Sequence, residues 1–334
     1  MQGNGLSDDN TFFDSETHSF NGLLQLGYLI QDHQTHPFSL TLEDLSNLLV
    51  VGPRAQDIYF NLLIQLCDDH RIPVLVIKGS PSECLEEQVC ECPLWQIDLQ
   101  TEAISFNALK LAQGRHPSRQ ISILIRLFET YGPLTPTARN LLHIIIWRTM
   151  LMASTPTFQY LENTLPFYEH HNAPYHEIRR LLSALPHHLF DTNYDNLSLT
   201  HIQHLPTIIT GNDTPDTTFT MNLLLLKLLA HESENLPALF LVNTPEIVPQ
   251  ILEWLSARYK RSNTPFVIFE NQNTELAHPK NHTRNFIFTS GFDEEPSPLL
   301  QQLTESEQHF LQLNNDHVVV RLRSEPAMRF ITIF

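Results

Sequence analysis

The sequence predicts an α/β fold with a mainly parallel sheet, a helical insertion and a C-terminal β-hairpin. Three observations carry this. Short apolar runs stopped by Gly or Pro recur along the chain, as in Asn47-Leu48-Leu49-Val50-Val51 before Gly52-Pro53, and such runs fit buried strands. Segments with apolar residues at helical spacing alternate with them, which argues for parallel strands covered on both faces. Hydrophobic residues make up 42% of 334 positions and charged residues 17%, enough to bury a sizeable core.

In chain order, residues 1 to 22 are polar and acidic and predict a loose arm. The run 47–51 is the first core strand. From Asp57 to His70 the residues Ile58, Leu62, Leu63, Ile64 and Leu66 fall at helical spacing, and Arg71-Ile72-Pro73 ends the segment. Pro73-Val74-Leu75-Val76-Ile77 is the second strand and completes a right-handed β-α-β unit. A strand-like Leu94 to Leu99 precedes a stretch from Pro117 to about His187 whose pattern is helical, punctuated by Pro133, Pro136, Pro156 and Pro174. Strands return at Pro206–Thr210, Ala238–Val242, Phe266–Phe269 and Phe286–Phe288, with helices expected over Thr217–Ala230 and Val248–Tyr259. Val318–Leu322 and Arg329–Ile333, separated by Ser324-Glu325-Pro326, predict a closing hairpin. The domain boundaries that follow are 1–22 for the arm, 23–112 for the first part of the core, 113–204 for the insertion and 205–334 for the second part.

The formal net charge of −17 repels a phosphate backbone, so nucleic acid is disfavoured as a main partner. The acidic start, without a basic segment and apolar core, predicts a cytoplasmic protein that meets a membrane only indirectly, at the inner membrane through a partner. Cys84, Cys90 and Cys92 lack the paired C-x2-C spacing of structural zinc, so with Cys67 they read as reduced thiols. His170, His171, His176, His187, His188, His201 and His204 are irregularly spaced and read as a polar surface, although His201 and His204 share a helical face.

A strand ending in Gly and feeding a helix is where a phosphate-binding loop sits, because helix N-terminal amides and the dipole favour an anion there. Laid over G-x-x-x-x-G-K-[ST], the loop Gly52 to Tyr59 keeps the first glycine only. Asp57 replaces the second glycine, Ile58 the lysine and Tyr59 the magnesium-binding hydroxyl residue. These changes put a negative side chain where phosphate would lie, remove the cation that offsets it and substitute a bulky ring. The second half of such a site is an apolar strand ending in Asp-Glu. Here Ala238–Val242 runs into Asn243-Thr244-Pro245-Glu246, which leaves the carboxylate displaced.

The order of elements, from Asn47 to Phe334, resembles the HerA/FtsK superfamily, most closely its conjugation and type IV secretion ATPases. The first β-α-β unit resembles that family's, with Lys78-Gly79 where an acidic residue and Pro are usual. Ile104 to Leu109 resembles its Asn-Pro-Leu segment. Leu252 to Arg261 resembles the helix that carries an Arg-Lys pair, and Phe269 to Gln272 resembles the strand whose Gln, here Gln272, senses phosphate. Asn281-His282-Thr283 and the segment from Leu303 to Val320 follow in the expected order.

The resemblance implies a RecA-like P-loop core. The replaced motif residues imply a pseudo-ATPase with no catalytic, cofactor-binding or metal-binding residue. As a structural or adaptor subunit of a secretion, conjugation or DNA-processing assembly, it would have protein partners, among them an intact ATPase of the superfamily, and would join an oligomer. Two alternatives stay open. Arg258 could act in trans to complete a neighbour's site in a mixed ring, or the chain could sense nucleotide without hydrolysis.

Overall fold

The computed structural model describes residues 23–31, 34–79, 90–100, 107, 109, 117–153, 156–186, 199–212, 214–230, 236–244, 246–270, 285–290, 304–313, 317–322 and 329–333. Its centre is an eleven-stranded sheet. The strands are β1 (Leu24–Gln31), β2 (Gln34–Leu40), β3 (Ser46–Val51), β4 (Val74–Lys78), β5 (Trp95–Asp98), β6 (Thr207–Thr210), β7 (Ala238–Val242), β8 (Phe266–Glu270), β9 (Asn285–Thr289), β10 (His317–Arg321) and β11 (Arg329–Ile333). In space they run β2-β1-β11-β10-β9-β3-β8-β7-β4-β6-β5. From β9 to β5 every pairing is parallel. The far side, β9-β10-β11-β1-β2, is antiparallel.

The helices are α1 (Leu42–Leu45), α2 (Ala55–Ile64), α3 (Ser118–Phe128), α4 (Pro136–Met152), α5 (Phe158–Thr164), α6 (Ala173–Leu182), α7 (Leu199–His204), α8 (Pro215–Ala230), α9 (Pro249–Ser262) and α10 (Glu305–Leu313). A π-turn, Gln65–Asp69, continues α2, and a 3-10 segment, Leu165–His171, follows α5. The helical region expected between the strands is present: α3 to α7 all lie between β5 and β6 in sequence. Its prolines start helices rather than break them. Pro136 opens α4 behind the Thr135 cap, whose hydroxyl accepts from the Ala138 amide at 3.3 Å, and Pro174 sits in the first turn of α6.

The pleat divides the core in two. Leu49, Val51, Leu75, Ile77, Leu239, Leu241 and Ile268 point to one face, where α3 to α6, α8 and α9 pack. Leu48, Val50, Val74, Val76, Phe240, Val242, Val267 and Phe269 point to the other, against α2 and the β1–β2 hairpin. Strict alternation in strands that are apolar on both sides is what burial between two layers requires.

The split also follows from handedness. The β3-α2-β4 crossover moves one way along the sheet, whereas β6-α8-β7 and β7-α9-β8 move the other way. Right-handed connections then place α2 opposite α8 and α9.

Two features differ from the sequence expectation. The hairpin β1–β2 extends the antiparallel side, although the polar spacing of Gln25, Gly27 and Gln31 conceals it. In addition, α2 begins at Ala55, ahead of the expected Asp57.

Candidate functional site

The connection leaving β3 runs through α2 on one face of the sheet, while that leaving β7 runs in the opposite direction through α9 on the other. In open α/β sheets this switch point, at the carboxyl ends of the strands, is where ligands bind. Gly52 follows β3 here, and Asn243 follows β7 one strand beyond β8. The ends are tied together: the Gly52 amide donates to the Glu270 carbonyl at 2.9 Å, that of Asn243 to the Phe269 carbonyl at 2.9 Å and that of Gly79 to the Val242 carbonyl at 3.1 Å.

The turn after β3 is closed. Gly52 takes a φ of 125°, which only glycine adopts without strain. The Ala55 amide then donates to the Gly52 carbonyl at 2.9 Å, the Asp57 amide to the Arg54 carbonyl at 3.1 Å and the Arg54 amide to the Thr289 hydroxyl at 3.2 Å. Pro53 has no amide hydrogen. A phosphate cradle needs such amides pointing into an open loop, but these three and the Gly52 amide are used on protein acceptors. Arg54 Nε pairs with Asp57 Oδ2 at 2.6 Å, so the carboxylate in the first turn of α2 lies where the helix dipole favours negative charge.

The early start of α2 also sets the phase of its side chains. Ile58 and Tyr59 both turn into the core, at 2% and 0% exposure. The Tyr59 ring meets Phe240 edge-on at 6.2 Å and Phe269 edge-on at 5.4 Å. Those two phenylalanines share one face of β7 and β8 with α2. The sequence reading of 52–59 as a phosphate loop missed these partners, and it missed Thr289. The signal available was the period-2 spacing that places Phe240 and Phe269 on α2's face.

The strand that would carry the acidic pair ends in Asn243, in a left-handed conformation with φ 43°. Glu246 is exposed, and its carbonyl accepts from the Asn222 amide nitrogen at 3.0 Å. Asn222 also accepts from the Val248 amide at 2.8 Å, so it pins the β7–α9 connection to α8. At the end of β4, Lys78 is buried, and the alternation from Val76 directs it to α2's face.

Arg258 lies on α9 with its guanidinium turned inward. One nitrogen donates to the Leu228 carbonyl at 3.1 Å and to the Leu229 carbonyl, both in the last turn of α8. A cation on the last carbonyls of a helix satisfies groups that have no intrahelical donor and complements the dipole. Arg258 therefore has an intramolecular role that needs no neighbouring subunit. Lys260 and Arg261, in the last turn of α9, are exposed.

The rings of His170 and His171 lie tilted to one another with centroids 4.2 Å apart, and His201 meets Trp95 edge-on at 6.0 Å. Among the described residues no group of His, Cys, Asp and Glu has metal-binding geometry. Likewise, no described helix is long and apolar enough to cross a membrane. Residues 1–22, Cys84, His187, His188, Gln272, the segment 281–283 and Leu303 lie outside the described residues, as does the run 104–106.

No family model and no curated protein matches the sequence. Solved structures do match. VirB4 of Thermoanaerobacter pseudethanolicus superposes with a TM-score of 0.67 at 12% identity, over 92% of this chain and 96% of that one. The chain shares its fold with this structure. The bacterial conjugative coupling protein TrwB, in its unbound form, gives a TM-score of 0.60 at 13% identity, over 87% of this chain and 85% of its own. TrwB in complex with the non-hydrolysable ATP analogue ADPNP gives 0.60 at 13% identity, over 87% and 86%. Within this shared fold, then, Gly52 opens the connection that follows the first core strand, and the closed turn occupies that place.

Proposed function

We propose that this chain is a non-hydrolysing relative of the HerA/FtsK-type ATPases, which serves as a structural or adaptor subunit in a secretion, conjugation or DNA-processing assembly. The closed turn after β3 carries the reading. Its amides are spent on Glu270, Thr289, Gly52 and Arg54, and the lysine and hydroxyl positions of the motif are core residues, Ile58 and Tyr59. With Asn243 at the end of β7, neither half of the site offers the charges that hold magnesium and polarise water. TrwB forms complexes with ADPNP and with ADP and Mg2+; opening this chain's turn to do the same would require breaking the Ala55–Gly52 bond and displacing Arg54 from Thr289.

Protein contacts are supported by the apolar side chains left exposed on the helical region. Leu151, Met152 and Phe167 are 66%, 78% and 78% exposed, carried by α4 and by the 3-10 segment after α5. Where such side chains form one contiguous patch, they mark an interaction site. The acidic N-terminal arm and an intact ATPase partner belong to the same proposal, as does a place at the inner membrane reached through that partner.

Titration calorimetry of the full chain with ATP, with and without magnesium, tests the reading. No binding is expected up to millimolar nucleotide, and no phosphate release in a coupled assay. Micromolar affinity would overturn the closed-loop reading and favour a nucleotide sensor.

A further inference from the structure

Away from the switch point, three cysteines meet under the end of α2. Cys67 lies in the π-turn that continues α2, while Cys90 and Cys92 lie on the segment entering β5. The carboxylate of Asp68 joins the two segments: the Cys92 amide donates to Oδ1 at 2.9 Å and the Glu91 amide to Oδ2 at 3.0 Å. One side chain, adjacent to Cys67 in sequence, thus fixes the backbone of Cys92. Cys67 and Cys90 are buried in the α2-side core, whereas Cys92 is half-buried at its rim, and none of the three is in a disulfide.

The sulfur of Cys92 accepts hydrogen bonds from the Cys67 and Cys90 thiols, which hold it well below the usual cysteine range. That same bond, with burial, pushes Cys67 up. The arrangement is asymmetric, with an accessible thiolate backed by a protonated, buried thiol. Thiolate character together with access is what makes a cysteine reactive.

We propose that Cys92 and Cys67 form a peroxide-reactive pair, Cys92 attacking and Cys67 resolving. The Cys92 thiolate attacks a peroxide oxygen; an S–O bond forms, the O–O bond breaks and the departing hydroxide becomes water with the proton that Cys92 released on ionising. The Cys67 sulfur then attacks the sulfenic sulfur while its proton passes to the sulfenic oxygen, so that an S–S bond forms, the S–O bond breaks and the second water leaves. Two thiols and one hydrogen peroxide give one disulfide and two waters. Cys90, two residues from Cys92 on the same segment, is the less suited resolver, because an unstrained disulfide needs facing Cβ atoms on approaching segments.

The test uses the folded full chain with one equivalent of hydrogen peroxide, followed by peptide mapping under non-reducing conditions. The expected product has lost two hydrogens, carries a Cys67–Cys92 linked peptide and reverts with dithiothreitol. In the unoxidised chain, alkylation of Cys92 by iodoacetamide should change less than threefold between pH 8 and pH 6, where a thiol of ordinary pKa slows roughly seventyfold. The partly exposed Cys92→Ser variant should lose the linked peptide and leave Cys67 unoxidised. Linkage through Cys84 or Cys90 in place of Cys67, over-oxidation of Cys92 without linkage, or alkylation that falls with pH like an ordinary thiol would each overturn the assignment. The peptide map and the pH profile are read on the unmutated chain, so they do not depend on a buried substitution folding.

Discussion

Tyr59→Ser separates a core residue from a ligand-binding one, because the substitution restores the small hydroxyl that the phosphate-loop motif calls for while removing a buried ring. Tyr59 is 0% exposed and meets Phe240 and Phe269 edge-on. An aromatic side chain of this kind buries ~150–250 Å², which at ~25 cal/mol per Å² amounts to about 4 to 6 kcal/mol. Serine recovers little of this, and each lost edge-on pair adds ~0.5–1.5 kcal/mol. Measured aromatic-to-Ala losses of about 3 to 5 kcal/mol reflect partial collapse around the cavity, so about 4 kcal/mol is expected. That is a large share of the ~5–15 kcal/mol typical of a folded protein. Urea denaturation followed by fluorescence, compared at equal m, reads the loss as a lower midpoint. The same protein is then titrated with ATP. A loss below about 1 kcal/mol, or a gain of micromolar affinity, would refute the claim that α2 enters the core where a phosphate loop would stay open.

Two further substitutions probe the elements around the site. A Cβ at Gly211 would stand 2.2 Å from Thr217 Cγ2 and 2.6 Å from Met221 Cε; because Thr217 is held by its hydroxyl to Asn212 Oδ1 at 2.8 Å, Gly211→Ala should cost roughly 1–3 kcal/mol in urea midpoint, and an unchanged midpoint would mean that α8 shifts freely at its N-terminus. Arg258→Ala removes the donor to two carbonyls at the end of α8 and should cost about 1 to 3 kcal/mol in thermal denaturation, with faster hydrogen exchange in the last turn of α8. Unchanged stability together with slower hydrolysis by a mixed-in ATPase would reverse that assignment and favour a trans-acting arginine.

The sheet's parallel half was legible because its strands announce themselves twice, as apolar runs and as runs cut by Gly or Pro. Ala238–Val242 coincides with the observed strand, and Asn47–Val51 differs by one residue. The first hairpin was not legible, because its strands interrupt their apolar residues with Gln, Gly, His and Pro, and the side chains it contributes to the α2-side core are Leu24, Leu26, Phe38 and Leu40. The closed turn was hidden for a different reason. Helical spacing marks only the apolar residues from Ile58 onward, so it placed the start of the helix at Asp57, whereas the Ala55 amide bonds to Gly52 and starts it at Ala55. Arg258 was visible as a basic residue, but its acceptors lie 29 and 30 residues away, and no local pattern points to them.

Two residues of helix phase connect the sequence changes to one another. A helix that starts at Ala55 turns positions 58 and 59 inward, where a lysine would be a buried cation and a serine would leave a hole between Phe240 and Phe269; Ile and Tyr are what that environment selects. The same early start leaves Asp57 in the first helical turn, where its carboxylate pairs with Arg54 and meets the positive end of the dipole. An anion would find that end of α2 already occupied by a carboxylate, and the Arg54, Ala55 and Asp57 amides already bonded. The losses at 57, 58 and 59 are therefore one structural change rather than three. Restoring the motif residues one at a time should reduce stability without recovering affinity, because the turn, and not any single side chain, closes the loop.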